Sequence, residues 1–331
     1  MNPQPQPLPA SLGERFTWAE AAGSAVPPSR LRRPDVERVH RATYRRGEAR
    51  VHSDWRAAHI SRVQDVAASL PDYAIVAGVS AAILWGLPIP GPAPDQPLPV
   101  EVASLAPARA MRVMGIRSRQ VRPRLVRITE LGGVRLTDPA TTWGELARRY
   151  DTAWAVALGD ATVHRKRIPG GQTLARPPLA DPDELREVAY TQRRPGALLL
   201  QRALPWIATT SASPPESHLR LCLKAWRLPD PELDFDVYDE EGRLLGCSEF
   251  AYPEIRLALE YEGRHHLTDP AQWNRDIEKY RDYAEAGWEV LRVTAEHLYG
   301  APHTLRANVE ATLSRLATAA SHARAAARGL S

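Results

Sequence analysis

The chain has 331 residues, 44% of them hydrophobic and 25% charged, with a formal net charge of +4. This length suits two or three domains, and the balance excludes a disordered, collagen-like or disulfide-dense chain. Two cysteines, Cys222 and Cys247, make no disulfide framework, and no apolar run approaches the roughly 20 residues of a membrane helix. The start, MNPQPQPLPASLGERF, lacks the basic-then-apolar pattern of a signal peptide, so a cytoplasmic location with no membrane partner is expected. The mild positive charge permits a nucleic-acid partner without requiring one.

In chain order, residues 1–13 are Pro-rich and read as a disordered tail. Thr17 is placed to cap a short helix, Trp18–Ala22, with Glu20 as its capping-box partner. A second helical segment from Pro27-Pro28-Ser29 carries Arg30, Arg32, Arg33 and Arg38, and Val39–Arg46 has the character of a short strand. Helix, turn, basic helix and strand over residues 14–50 outline a winged helix-turn-helix, with Arg30, Arg32 and Arg33 as nucleic-acid-binding candidates. A helix is expected from Trp55 to Leu70, then small residues 77–82 that allow close packing, then strands at Val100–Ala103, Arg112–Ile116, Leu125–Thr129 and Val134–Leu136. Asp138-Pro139 opens a helix with Trp143, Leu146 and Ala147 inward, and Asp151–Val163 is another. His164, beside Arg165, Lys166 and Arg167, reads as a solvated helix end. After a Pro/Gly linker, two more helices complete an α+β middle domain over 51–205.

The chemistry concentrates in residues 211–300. Pro214-Pro215 starts a helix with Leu219, Leu221, Cys222 and Trp226 inward and Glu216 in its first turn, where the helix dipole alone favours an acid. PELDFDVYDEEGRLLGCSEF is a hairpin turning at Asp239–Gly242, and IRLALEYEG is a third strand. Alternation sets Ile255, Leu257 and Leu259 on one face, and Arg256, Ala258, Glu260 and Glu262 on the other; the turns bring Glu249 alongside. Like charges so gathered call for a proton or a cation, and Mg²⁺ or Mn²⁺ is the natural one for oxygen ligands. Asp269 and Pro270 open a helix carrying Arg275, Asp276, Lys279 and Arg281, and WEVLRVT is the fourth strand. The order helix, three strands, helix, strand is a mixed sheet flanked by helices, so the fold class is α/β here and α+β overall. The tail, 301–331, is a helix with Leu305, Val309, Leu313 and Leu316 at helical spacing.

ESHLR, SEFAYPEIRLALEYEGRHH and RDIEKYRDYAEAGWEVLRVT resemble the DUF559 family, a branch of the PD-(D/E)XK nuclease fold related to very short patch repair endonucleases. The resemblance implies a restriction-endonuclease-like domain over 206–300, with Glu216 as the helical acid and Glu249, Glu260 and Glu262 as the strand acids. It further implies a metal held by Glu249, Glu260 and the Tyr261 carbonyl, with His266 or Lys279 assisting. Arg264, Arg275 and Arg281 become candidate phosphate contacts. Glu stands at 249 and 262 where the family has Asp, and Lys279 where it often has Arg. AGVSAAILWGLP and GVRLTDPATTWGELA resemble the middle part of AbiEi-like antitoxins, whose winged helix would correspond to residues 14–50. Two readings stand: a metal-dependent endonuclease hydrolysing DNA phosphodiester bonds, or an AbiEi-like DNA-binding antitoxin or regulator, with a cognate toxin as partner and a degenerate nuclease fold.

Overall fold

In the computed structural model, which describes residues 7–40, 42–47, 54–92, 96–263 and 270–328 (side chains of 270–274 and 326–328 excepted), the chain divides into two units that it visits alternately. The first comprises 1–149 and 182–201, the second 150–181 and 202–331. Residues 150–181, read from sequence as part of a 51–205 domain, therefore belong with the C-terminal region.

The first unit opens with β1 (Arg15–Thr17), α1 (Trp18–Gly23), β2 (Val36–His40) and β3 (Thr43–Arg46), the strands ordered β1-β3-β2 and antiparallel. Thr17 and Glu20 form the expected reciprocal capping box. The expected basic helix is a single 3-10 turn, Arg30–Arg32, and Arg33 is already extended. Pro34 is the reason, since a residue before proline is sterically driven out of the helical region. The expected disordered tail is also corrected for its described part: Leu8 and Leu12 are buried with Phe16, Ala21, Val26, Leu31 and Val36. Arg46 holds that segment by donating to the carbonyls of Pro9, Leu12 and Gly13.

After α2 (Trp55–Ala67) comes a five-stranded mixed sheet, ordered β6-β5-β4-β8-β7, built from β4 (Ala74–Val76), β5 (Val100–Leu105), β6 (Ile116–Val121), β7 (Ile128–Leu131) and β8 (Val134–Thr137). β6 and β7 start later than read from sequence, because Gly115, at φ +80°, turns the chain before β6 and Pro123 opens a 3-10 turn before β7. Helices α3 (Gly78–Trp85), α4 (Pro139–Leu146), α6 (Pro182–Tyr190) and the start of α7 (Ala197–Ala203) complete the unit. Every residue of α4 is buried, and Asp138 caps it through the Thr141 N–H.

The second unit contains α5 (Thr152–Val163), α8 (Pro214–Ala225), β9 (Glu232–Tyr238), β10 (Leu244–Tyr252), β11 (Leu257–Glu262), α9 (Pro270–Glu285), β12 (Glu289–Thr294) and α10 (Pro302–Arg328). The sheet runs β12-β11-β10-β9, with β9, β10 and β11 an antiparallel meander and β12 parallel to β11 through the α9 crossover. One face buries Phe250, Leu257, Leu259 and Val293 against Leu219 and Leu223 of α8 and Leu305, Val309 and Leu313 of α10. The other buries Val237 and Ala258 with Tyr283 of α9. Leu221, Cys222 and Trp226 are only partly buried, and Leu223 takes the inner position that sequence periodicity had not assigned. Ile255 lies in a 3-10 turn and Arg256 in the left-handed region, so the alternation starts at Leu257. No helix among the described residues is long and apolar enough to cross a membrane.

Candidate active site

Helix α8 is held by a polar anchor in an otherwise apolar packing. Asp160 of α5 is fully buried and accepts hydrogen bonds from Ser217 Oγ (2.6 Å), Arg220 Nη2 (2.7 Å) and the Ala208 N–H (2.7 Å). Burial pushes the Asp160 carboxyl upward, against the charge of Arg220. An ion pair so enclosed with its lone pairs satisfied fixes the rotation of the helix, and hence where its first turn points. Ser213 is the N-cap, and the Glu216 carboxylate accepts from the Ala212 N–H (2.8 Å). Glu216 is thus part helix cap, and its 8% exposure leaves it inside the unit.

Glu249 sits where the hairpin changes face. Leu233 packs with Phe250 on the α8 side of the sheet, whereas Phe235 packs with Trp288 and Val290 on the α9 side. Residues two apart in a regular strand would share a face. Between them Asp234 lies at φ +52°, a left-handed conformation costing a non-glycine residue about 1 kcal/mol. It is held there by Cys247 Sγ (3.0 Å) and by Arg167, which binds both Asp234 and Asp236. Arg167 therefore forms a partly buried clasp, correcting its reading as part of a solvated helix end. Opposite this kink, the Glu249 carboxylate accepts from the Tyr261 N–H of β11 (2.7 Å).

On β11, Ala258, Glu260 and Glu262 share the α9 side as alternation requires. Glu260 is buried, and Lys279 Nζ of α9 reaches its Oε1 at 2.9 Å while also donating to the Cys247 carbonyl at 2.8 Å. Glu262 is turned into a separate set: Arg292 Nε donates to it at 2.6 Å and the Tyr280 hydroxyl at 3.1 Å. The structure thus brings together Glu216, Glu249, Glu260 and Lys279, and gives Glu262 its own cation.

The three grouped carboxylates hold protons tightly. Burial, then the charges of Glu216 and Glu260, push Glu249 up to about 9. Burial likewise raises Glu216. In Glu260 burial prevails over Lys279, which favours the ionised form. Hard carboxylate oxygens under mutual repulsion are the donor chemistry that Mg²⁺ or Mn²⁺ takes. Their placement is looser than a ligand cage: among the described residues no three His, Cys, Asp or Glu side chains are grouped so as to hold a metal ion.

Other sequence candidates lie apart. Arg264 and His266 fall outside the described residues, as does the expected N-cap Asp269. Arg275 and Arg281 are exposed on α9, with Arg281 near Asp282 and Glu285. Arg30 forms a two-pronged ion pair with Asp35, at 2.9 and 2.6 Å, while Arg32 and Arg33 are exposed. Sequence reasoning missed Asp160, Arg220, Arg167 and Arg292, whose partners lie 30 to 69 residues away and leave no local pattern. It also missed Gly246, where a Cβ would stand 3.3 Å from Lys279 Cδ and Cε and 3.1 Å from the Tyr283 hydroxyl.

No family model matches the chain. Two curated relatives in Mycobacterium tuberculosis, the uncharacterized proteins MT2308 (strain CDC 1551) and Rv2248 (strain H37Rv), are each 29% identical to it over 189 residues. The matched region is 57% of this chain and 65% of each relative, so the likeness spans less than two thirds of those proteins.

Proposed function

We propose that the second unit is a metal-dependent endonuclease hydrolysing phosphodiester bonds in DNA. The observation that carries this reading is the convergence of Glu216, Glu249 and Glu260, from a helix and two strands, with Lys279 on the last of them. The sheet supports it: a three-stranded meander followed by a helical crossover to a parallel fourth strand is the topology expected from the nuclease resemblance. Glu249 and Glu260, with the Tyr261 carbonyl, are the groups that would hold Mg²⁺ or Mn²⁺. A bound cation there would supply a water of lowered pKa and charge for the scissile phosphate.

The chain's own groups have separable tasks. Lys279 fixes Glu260 and offers positive charge where a phosphorane gathers negative charge. Glu216 and Glu249 hold their protons above the ordinary carboxylate range, because burial and neighbouring carboxylates raise both, and so can carry a proton at the site. Supercoiled plasmid incubated with the full chain and Mg²⁺ or Mn²⁺ tests the assignment. Nicking is expected, with a loss of about 100-fold or more in Glu260→Gln. Equal nicking by that variant would refute it.

A second reading is favoured by the loose placement of the acids and by the diversion of Glu262 to Arg292. In it the chain is an AbiEi-like DNA-binding antitoxin or regulator, with a toxin as partner, that grips DNA without cutting. Its mark is a gel shift of DNA from upstream of its own gene that survives Glu260→Gln, with no nicking by either protein. Absence of any shift at low salt would exclude it.

A further inference from the structure

The first unit carries a feature of opposite sign to the acidic site. A cavity of about 450 Å³ is lined by Arg119, Arg122, Arg148, Arg193 and Arg194, with Glu145 as its acid. Arg119 and Arg122 come from the end of β6, Arg148 from the turn after α4, and Arg193 and Arg194 from the loop between α6 and α7. Glu145 is already committed, pairing with Arg119 and accepting from the Gly78 N–H at 3.0 Å. Among the described residues, Arg122, Arg148, Arg193 and Arg194 form no ion pair.

Arg194 shows what this arrangement costs. Its residue exposure is only 8%, its Nη2 donates to the Leu125 carbonyl at 2.6 Å, and its Nε has no hydrogen-bond partner. Glu145 and Asp138 favour its charge without pairing with it, and burial still prevails. A guanidinium buried without a direct ion pair is costly, and an anion would complete the set. Several guanidinium forks around one concavity match phosphate oxygens in charge and in planar two-point geometry. The neighbouring Arg193 occupies the left-handed region at φ +56°, and a Cβ on Gly196 would come within 2.9 Å of Arg148 Cβ, so both flanks of the loop are sterically committed.

We propose that this cavity is a phosphate-binding site for a nucleotide or for the backbone of a nucleic-acid strand. It involves none of the residues of the acidic site and does not depend on the endonuclease reading. The phosphoryl group enters among Arg122, Arg148 and Arg193, while Arg194 supplies buried positive charge from the floor.

The test uses the full chain at low salt with three probes: inorganic pyrophosphate, dAMP and a short 3′-labelled single-stranded DNA, read by calorimetry and fluorescence anisotropy. The triple variant Arg122→Gln, Arg148→Gln, Arg193→Gln is expected to weaken binding about tenfold or more while keeping its far-ultraviolet circular dichroism. Competition by dAMP assigns the site to a nucleotide, and competition by unlabelled strand alone assigns it to a backbone phosphate. Unchanged affinity in the triple variant, or no saturable binding of any probe to the wild type, overturns the proposal. Should the triple variant lose its fold, Arg148→Gln alone decides, because that side chain is exposed. An unchanged affinity and an unchanged salt slope for that single variant also overturn it.

Discussion

Glu101 in the first unit is a buried strand glutamate and Glu249 in the second a half-buried one, and their surroundings differ in kind. Glu101 receives two Arg149 nitrogens, each at 2.7 Å, together with the Val79 N–H at 3.1 Å at the start of α3. The backbone makes room for it: Gly78 lies at φ +56°, and a Cβ there would sit 2.1 Å from Glu101 Oε2. Glu249 receives one backbone N–H and, among the described residues, no ion pair, while its nearest like charges are Glu216 and Glu260. The first carboxylate is matched and holds a fold together. The second is left mismatched, as groups with a chemical task commonly are, and the surrounding packing must offset its cost.

The largest expected effect tests the matched side of that contrast. Glu101→Ala removes the buried acceptor of the Arg149 fork and leaves the buried Val79 N–H unsatisfied, and urea unfolding is expected to show a loss of about 2–3 kcal/mol. A loss below about 1 kcal/mol would mean that Glu101 is no more structural than a surface acid. The mismatched side predicts the opposite sign. Glu249 moves from an ordinary value of 4.5 to about 9 on folding, so its contribution is fully present below about pH 4.5 and is lost as pH rises through about 9. Raised values at Glu216 and Glu260 add in the same direction. Glu249→Gln is therefore expected to melt about 2–4 °C above wild type at alkaline pH and to match it in acid. A variant less stable than wild type at alkaline pH would make Glu249 a structural acid. The same protonation predicts that Mg²⁺ or Mn²⁺ binding releases protons and tightens as pH rises toward 9, which calorimetry in two buffers of different ionisation enthalpy reads directly.

What the sequence disclosed follows the range of each interaction. Period-2 alternation placed Glu260 and Glu262 together, and Thr17 and Asp138 announced two helix starts. Alternation said nothing of which acid keeps a cation, because Arg292 meets Glu262 across the parallel β11–β12 pair and Lys279 meets Glu260 from α9. Strict alternation also fails at Glu249, where Asp234 in a left-handed conformation switches the hairpin's faces. The division into units was hidden for a related reason. Asp160 reads as one polar residue in an Ala-rich helix until Arg220 is seen to bind it from α8. The cavity arginines enter from positions spread between 119 and 194, and no local window shows them together.

The smallest expected effect concerns the lysine that partly relieves the mismatch. Lys279 Nζ donates twice, to Glu260 and to the Cys247 carbonyl, and its stem passes over Gly246. A methyl group at 246 would meet that stem at 3.3 Å and the Tyr283 hydroxyl at 3.1 Å, closer than carbon atoms normally settle. The lysine methylenes can shift by a few tenths of an ångström, but the backbone at φ +159° strains any side chain, so Gly246→Ala is expected to cost about 1 kcal/mol in urea unfolding. The larger consequence falls on placement, because a charged hydrogen bond weakens steeply as its geometry is lost. Plasmid nicking is therefore expected to drop several-fold more than stability alone explains, with the pH profile displaced upward in parallel as Glu260 loses part of its cation. If activity instead tracks the small stability loss and the pH profile stays fixed, Lys279 does not position Glu260. Its ion pair would then belong with that of Glu101, on the structural side of the comparison.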